Sequence, residues 1–113
     1  MTDAPAPLFS YGTLQDPAVQ QATFGRLLAG MPDTLTGYRV TTIVIRDPGV
    51  LAVSGSATHL ALVPDPAAPP ITGTVYTLTA AEIAASDEYE GDNYRRVSVR
   101  LRSGHDAWVY VKA

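Results

Sequence analysis

Residues 79–102, TAAEIAASDEYEGDNYRRVSVRLR, change their period half-way along. Thr79-Ala80-Ala81-Glu82 is a capping box, with Thr79 as N-cap and Glu82 reaching back to it. A short helix is predicted from there to about Tyr89 or Glu90, stopped by Gly91. From Tyr94 to Arg102 the period becomes two: Val97, Val99 and Leu101 face one way, and Arg96, Ser98, Arg100 and Arg102 the other. Ser103-Gly104-His105 then makes a hairpin turn into a last strand, Ala107 to Val111.

Upstream, residues 1–7 read as a flexible tail and residues 8–113 as a single domain. Leu8 to Tyr11 is a short apolar strand that stops at Gly12. Asp16-Pro17 supplies an N-cap followed by proline at the first helical position. A helix fits from there to Leu28, ended by Gly30 and Pro32. Thr34 to Ile45 has strand composition, and Asp47-Pro48-Gly49 is a turn signal. Val50 to Val53 and Thr58 to Val63 read as short strands around a Ser54-Gly55-Ser56 bend. Pro64 to Pro70 is a proline-rich loop, followed by a strand from Ile71 to Leu78. Six or seven short strands with two helices predict a small barrel-like α+β domain.

Composition narrows the function. With 113 residues, 46% hydrophobic and 17% charged, the chain suits one globular domain rather than disorder. No apolar run approaches the roughly 20 residues of a membrane helix, and no signal peptide is visible, so a cytoplasmic protein is expected. The absence of cysteine rules out disulfides, thiol catalysis and thiolate metal sites. His59 and His105 are isolated, so no metal is expected. A net charge of −3 argues against nucleic acid, although Arg95, Arg96, Arg100 and Arg102 cluster locally.

Two places can carry chemistry. The strand-to-helix junction Tyr11-Gly12-Thr13-Leu14 can aim several backbone N–H groups at an anion or a developing oxyanion, or be a tight turn with Gly12 at positive φ. At the end of the second helix, Ile83, Asp87 and Glu90 share a face, and Glu88 lies about 200° from Glu90 around the axis. Ile83 marks the inward side, so Glu90 is the carboxylate expected to be buried. Burial and the negative end of the helix dipole would both raise its pKa, which suits a general base. A solvated acidic helix end would show the same residues. Tyr94 and Arg96 share one face of the next strand, as a polar wall beside Glu90 or as a protected strand edge.

Taken in order, these segments resemble the gamma-glutamylcyclotransferase-like (AIG2-like) family. Phe9 to Leu14 is similar to its Tyr-Gly-Ser/Thr-Leu loop, Leu35 to Tyr38 to its Leu-x-Gly-aromatic segment, and Gly73 to Leu78 to its Gly-x-(Val/Leu)-Tyr strand. Asp87 to Val97 resembles its Asp-x-aromatic-Glu-Gly…Tyr-x-Arg-x-x-Val element, and Ala107 to Val111 its closing Ala-x-x-Tyr strand. The resemblance implies a small mixed β-barrel with flanking helices. It makes Glu90 the catalytic acid/base, and Tyr11, Gly12, Thr13 and Leu14 the cradle of a γ-glutamyl group. Tyr94, Arg96 and Tyr110 match positions that line or support the pocket.

The implied reaction turns a small-molecule γ-glutamyl compound into 5-oxoproline and a free amine, without cofactor, nucleic acid or membrane. A monomer or small homo-oligomer is expected. The alternative is a non-catalytic binding domain for a γ-glutamyl-like metabolite or a protein partner. Two departures stand out: Ser86 replaces a usual leucine, and Thr41 to Pro70 lacks the usual Tyr-Pro-type signature.

Overall fold

The computed structural model describes residues 6–54 and 58–113. The elements run β1 (Ala6–Ser10), α1 (Pro17–Phe24), β2 (Gly30–Leu35), β3 (Tyr38–Val44), α2 (Pro48–Ser54), β4 (Thr58–Pro64), β5 (Ile71–Leu78), α3 (Ala80–Glu90), β6 (Tyr94–Arg100) and β7 (Asp106–Lys112). Single 3₁₀ turns follow β1 at Thr13–Gln15 and α3 at Gly91–Asn93.

The chain is α+β, but no sheet closes into the expected barrel. Five strands form one sheet in the order β2-β5-β1-β7-β6, while β3 and β4 make a separate two-stranded sheet. β1 is central: it pairs antiparallel with β5 from Ala6↔Leu78 to Ser10↔Thr74, and parallel with β7 at Leu8↔Trp108. The outer strands β2 and β6 form no ladder with each other. A backbone bond from Arg102 N–H to the Thr34 carbonyl (2.9 Å) and a Ser103–Asp33 side-chain bond (2.6 Å) tie the hairpin after β6 to β2.

Alternation along β1 splits the core between the two faces of this sheet. Leu8 joins Tyr76 and Leu78 under Val19 of α1 and Ile83 and Tyr89 of α3. Phe9 joins Leu35, Leu62, Leu101, Val109 and Val111 on the other face, with Val97 and Val99 packed against them.

Several expectations need correction. The first helix ends at Phe24 rather than Leu28, because Gly25 adopts φ 71° as its C-cap. Buried Gln20 holds the chain that follows: its side chain donates to the Leu14 carbonyl and accepts from Leu28 N–H, both at 2.9 Å. Gly30 and Pro32, expected to end the helix, lie in β2, an edge strand where proline is tolerated. Gly37, at φ 87°, breaks the run Thr34–Ile45 into β2 and β3, which belong to different sheets.

Val50 to Val53 is part of helix α2, a third helix among the described residues, rather than a strand. The Asp47 carboxylate accepts from Gly49 and Val50 N–H (2.8 and 3.2 Å), so Asp47-Pro48 starts a helix as Asp16-Pro17 does. Ala6 and Pro7 belong to β1 rather than to a tail. Residues 1–5, and Gly55 and Ser56 of the expected bend, lie outside the described residues.

Candidate active site

The capping box forms in both directions: Glu82 N–H donates to Thr79 Oγ1 (3.1 Å) and Thr79 N–H to Glu82 Oε1 (3.0 Å). Starting α3 there sets its rotation, so Ile83, Ser86 and Tyr89 are buried and Glu88 is exposed. Glu90 is the last residue of the helix. Gly91 follows at φ 65°, a conformation that side-chain-bearing residues rarely adopt, and turns the chain out toward β6.

β1 and β7 share the ladder position Leu8↔Trp108. A narrow cleft with about 30 Å³ of room lies at the end of β1, beside the end of α3. Tyr11 to Leu14 line one side, Glu90 and Tyr94 another, with Tyr110 of β7 and His59 and Leu60 of β4 between them. Tyr11 Oη donates across the gap to the Tyr110 carbonyl at 2.7 Å. Thr13 Oγ1 bonds Tyr89 Oη (2.8 Å), fixing the loop against α3, and Thr74 Oγ1 donates to Gln15 Oε1 (3.0 Å), fixing it against β5. The N–H groups of Gly12, Thr13 and Leu14 donate to no backbone carbonyl among the described residues, as at other turn starts. Gly12 has φ −130°, so the expected positive φ is not what it provides. A Cβ there would meet nothing within 4 Å, and the backbone is open to a ligand.

Glu90 makes no hydrogen bond or ion pair with any described residue. One side of it opens into the cleft, and packed atoms surround the rest. That burial, and secondly the neighbouring Asp87 charge, push its carboxyl up to about 8. Burial also raises Tyr11, Tyr94 and Tyr110 above the usual phenol range, and the nearby Glu90 adds to all three shifts. The three phenols therefore stay protonated near neutral pH.

Behind the wall lies a second layer of contacts. Tyr110 Oη donates to Asp87 Oδ1 (2.6 Å) and lies 2.5 Å from Ser86 Oγ. Arg96 grips Asp87 with two parallel bonds, 2.9 and 3.1 Å, while its guanidinium lies 4.3 Å from the centre of the Trp108 ring. Ser86 is fully buried; in the place of a leucine it supplies a hydroxyl that reaches Tyr110.

The fold thus gathers Tyr11, Gly12, Thr13, Leu14, Glu90, Tyr94 and Tyr110 around one cleft. Arg96, expected as a substrate contact, is not on its wall and reaches it only through Asp87 and Tyr110. His59, read from the sequence only as an isolated histidine, and Leu60 arrive from the separate sheet, and no local signal places them at the cleft. It also missed Asp87 as the partner of Tyr110, although the shared helix face with Glu90 pointed there. No group of described residues is placed to hold a metal, and no described helix is long and apolar enough to cross a membrane.

The family model for gamma-glutamyl cyclotransferase, AIG2-like, matches residues 8–113. An Arabidopsis thaliana protein solved in solution superposes with a TM-score of 0.72 at 23% identity, over 99% of this chain. The chain spans 65% of that protein's length. A solved gamma-glutamyl cyclotransferase superposes at 0.76 with 12% identity, over 97% of this chain and 68% of its own. The allophanate hydrolase of Kluyveromyces lactis carries the same fold in 18% of its length, at TM-score 0.70 and 12% identity, over 97% of this chain. No curated protein matches the chain. At these identities the structural likeness speaks for the fold alone.

Proposed function

The chain belongs to the AIG2-like gamma-glutamyl cyclotransferase family, and from that premise we propose that it cleaves a γ-glutamyl amide into 5-oxoproline and a free amine. The observation that carries this reading is Glu90, a carboxylate without a partner on the wall of a cleft whose opposite side is the open Tyr11–Leu14 backbone.

The substrate brings its own nucleophile, its α-amino group. Glu90 takes one ammonium proton, and the freed nitrogen attacks the γ-carbonyl carbon to close a five-membered ring. A second proton leaves the ring nitrogen for the departing nitrogen as the tetrahedral intermediate collapses and the amide C–N bond breaks. Glu90 then returns its proton to the leaving amine. Both protons end there, no water is consumed, and the charge is unchanged.

Ring closure is intramolecular, and a well-oriented reaction of this kind reaches effective molarities of about 10⁵ M or more, so holding geometry does most of the work. The Gly12–Leu14 N–H groups are candidates to steady the oxyanion, each such donor contributing about 3–4 kcal/mol. A carboxyl that ionises near 8 is well matched to accept a proton, and the substrate ammonium beside it favours its charged form.

The test is 5-oxoproline release, read by mass spectrometry, over a panel of γ-glutamyl amino acids and γ-glutamyl amines. Glu90→Gln is expected to lower turnover at least about 100-fold. Near-normal turnover in that variant would remove Glu90 from its role. No release from any panel member by a folded wild type would favour a binding domain.

A further inference from the structure

β2 and the hairpin that leads into β7 are joined where Thr34 and Asp33 bond Arg102 N–H and Ser103 Oγ. Beside that junction lies a groove of about 660 Å³ that shares no lining residue with the cleft. Its size is that of a small-molecule site, roughly 300–1,000 Å³.

Strand pairing makes its floor apolar. Pro7 lies opposite Thr77, and Val75 lies opposite both Phe9 and Met31, so these side chains share one face of the five-stranded sheet. Around Phe9 that face is packed against Leu35, Leu62 and Val109. At Pro7, Val75 and Thr77 it lines the groove instead, and Met31 stands 73% exposed at the edge. The floor is therefore an open shelf continuous with the second half of the core.

Four ionisable side chains line the groove: Arg26, Asp33, His105 and Asp106. Two are already matched. Arg26 grips Glu82 with bonds of 2.7 and 2.9 Å, and Asp106 accepts from Arg100 Nε at 3.1 Å. Asp33 forms no ion pair with any described residue. Neutral donors fix its carboxylate: Thr34 N–H on Oδ1 (2.7 Å) and Ser103 Oγ on Oδ2 (2.6 Å). These bonds, the Ser103 hydroxyl foremost, hold Asp33 below the usual carboxylate range, so it is charged at neutral pH. A carboxylate oxygen accepts about two hydrogen bonds, so Oδ2 has one place left. His105 Nδ1 lies 3.2 Å from the same hydroxyl. The three residues are no catalytic triad, because the hydroxyl proton goes to the carboxylate and not to the histidine.

An apolar shelf with a fixed, unmatched negative charge at its end fits a ligand of the opposite layout, hydrocarbon along its length and a cation at one end. An acidic ligand would face two carboxylates there. We propose that this groove is a second binding site, for a small apolar amine whose body lies on Val75, Thr77 and Met31 and whose ammonium pairs with Asp33. The inference does not depend on the reading of the cleft.

The probes are 4-phenylbutylamine and 4-phenylbutan-1-ol, alike in shape and different in charge, with methylamine as the head group alone. Dissociation constants and binding positions are read by NMR titration of the full chain at pH 7, each variant being checked for folding by thermal melting. Wild type should bind the amine at least about fivefold more tightly than the alcohol, as an ion pair at the open end of a groove allows. Amide shifts should centre on residues 31–33, 75–77 and 103–106. Methylamine should bind far more weakly, because it buries no apolar body. Asp33→Asn should bring the amine-to-alcohol ratio near one and leave the alcohol within about twofold of its wild-type value. Glu90→Gln should leave the ratio unchanged, which separates this site from the cleft.

No saturable binding of the amine, a wild-type ratio near one, a ratio unchanged in Asp33→Asn, methylamine binding as tight as that of the full amine, or shifts confined to residues 11–14 and 90–94 would each overturn the inference. Should Asp33→Asn fail to fold, Met31→Lys decides. Its exposed position two residues before Asp33 on the same face of β2 supplies the missing cation, so the advantage of the amine should disappear, and its persistence would overturn the inference.

Discussion

Replacing Glu90 by glutamine tests the electrostatics of the cleft without any substrate. In an unfolded chain the Glu90 carboxyl ionises near its ordinary 4.5, whereas in the folded chain it holds its proton until about 8. Below pH 4.5 both states are protonated and the group contributes nothing to the pH dependence. As pH rises from 4.5 to 8, the unfolded chain gives up this proton and the folded chain keeps it. Stability therefore falls with rising pH, by about 1.4 kcal/mol per pH unit. The total is at most about 5 kcal/mol at pH 8, after which the loss is constant. That is comparable to the whole stability of a weakly stable domain, about 5–15 kcal/mol, so the effect is large enough to measure.

Glutamine keeps the shape and does not titrate. The variant should match wild type closely at pH 4.5 and become progressively more stable than it up to pH 8. Urea denaturation followed by circular dichroism, on both proteins at half-unit pH steps from 4 to 9, reads this difference. Titrating groups remote from Glu90 cancel in the subtraction. Parallel curves, with a constant offset across the window, would refute the burial and the Asp87 repulsion assigned to Glu90.

Three further outcomes are expected. With a turned-over γ-glutamyl substrate, kcat/KM should rise about tenfold per pH unit and level off above pH 8, as the free enzyme's Glu90 ionises; a profile flat from pH 5 to 8 would contradict the base assignment. Gly73→Ala should destabilise the fold by about 1–3 kcal/mol, read as a lower urea midpoint, because a Cβ there lies 2.4 Å from the Ser10 carbonyl oxygen and 2.6 Å from the Phe9 ring. Glu82, held down to about 2 by Arg26 and by Thr79 N–H, contributes stability above pH 4.5 that is lost as pH falls toward 2. Arg26→Ala should flatten that acid limb in urea titrations between pH 2 and 5, and an unchanged limb would assign it to other carboxylates.

Local signals were legible wherever a side chain bonds its own neighbourhood. The Thr79–Glu82 box, the Asp16-Pro17 start and the Gly91 stop are satisfied within a few residues, so their spelling is sufficient. The same spelling at Asp47-Pro48 began α2, yet the β-branched residues after it suggested a strand. There composition outweighed a cap, and the cap was the better guide. Gly30 and Pro32 read as stops because both disfavour regular structure, but an edge strand needs only one bonded side and accepts them.

The sequence by itself determined the α+β class and the rotation that sets Glu90 apart from Glu88, and it singled out the Tyr11–Leu14 loop, which lines the same cleft as Glu90. Each follows from period, capping and residue type within about a dozen neighbours. The tertiary structure alone decided that the sheets stay open, that β4 delivers His59 and Leu60 to the cleft, and that Arg96 grips Asp87 rather than lining it. It alone decided where three phenol protons point. These depend on partners 9 to 99 residues away along the chain. Which acceptor a hydroxyl finds at that separation is set by how strands pair and diverge, and no local pattern encodes it.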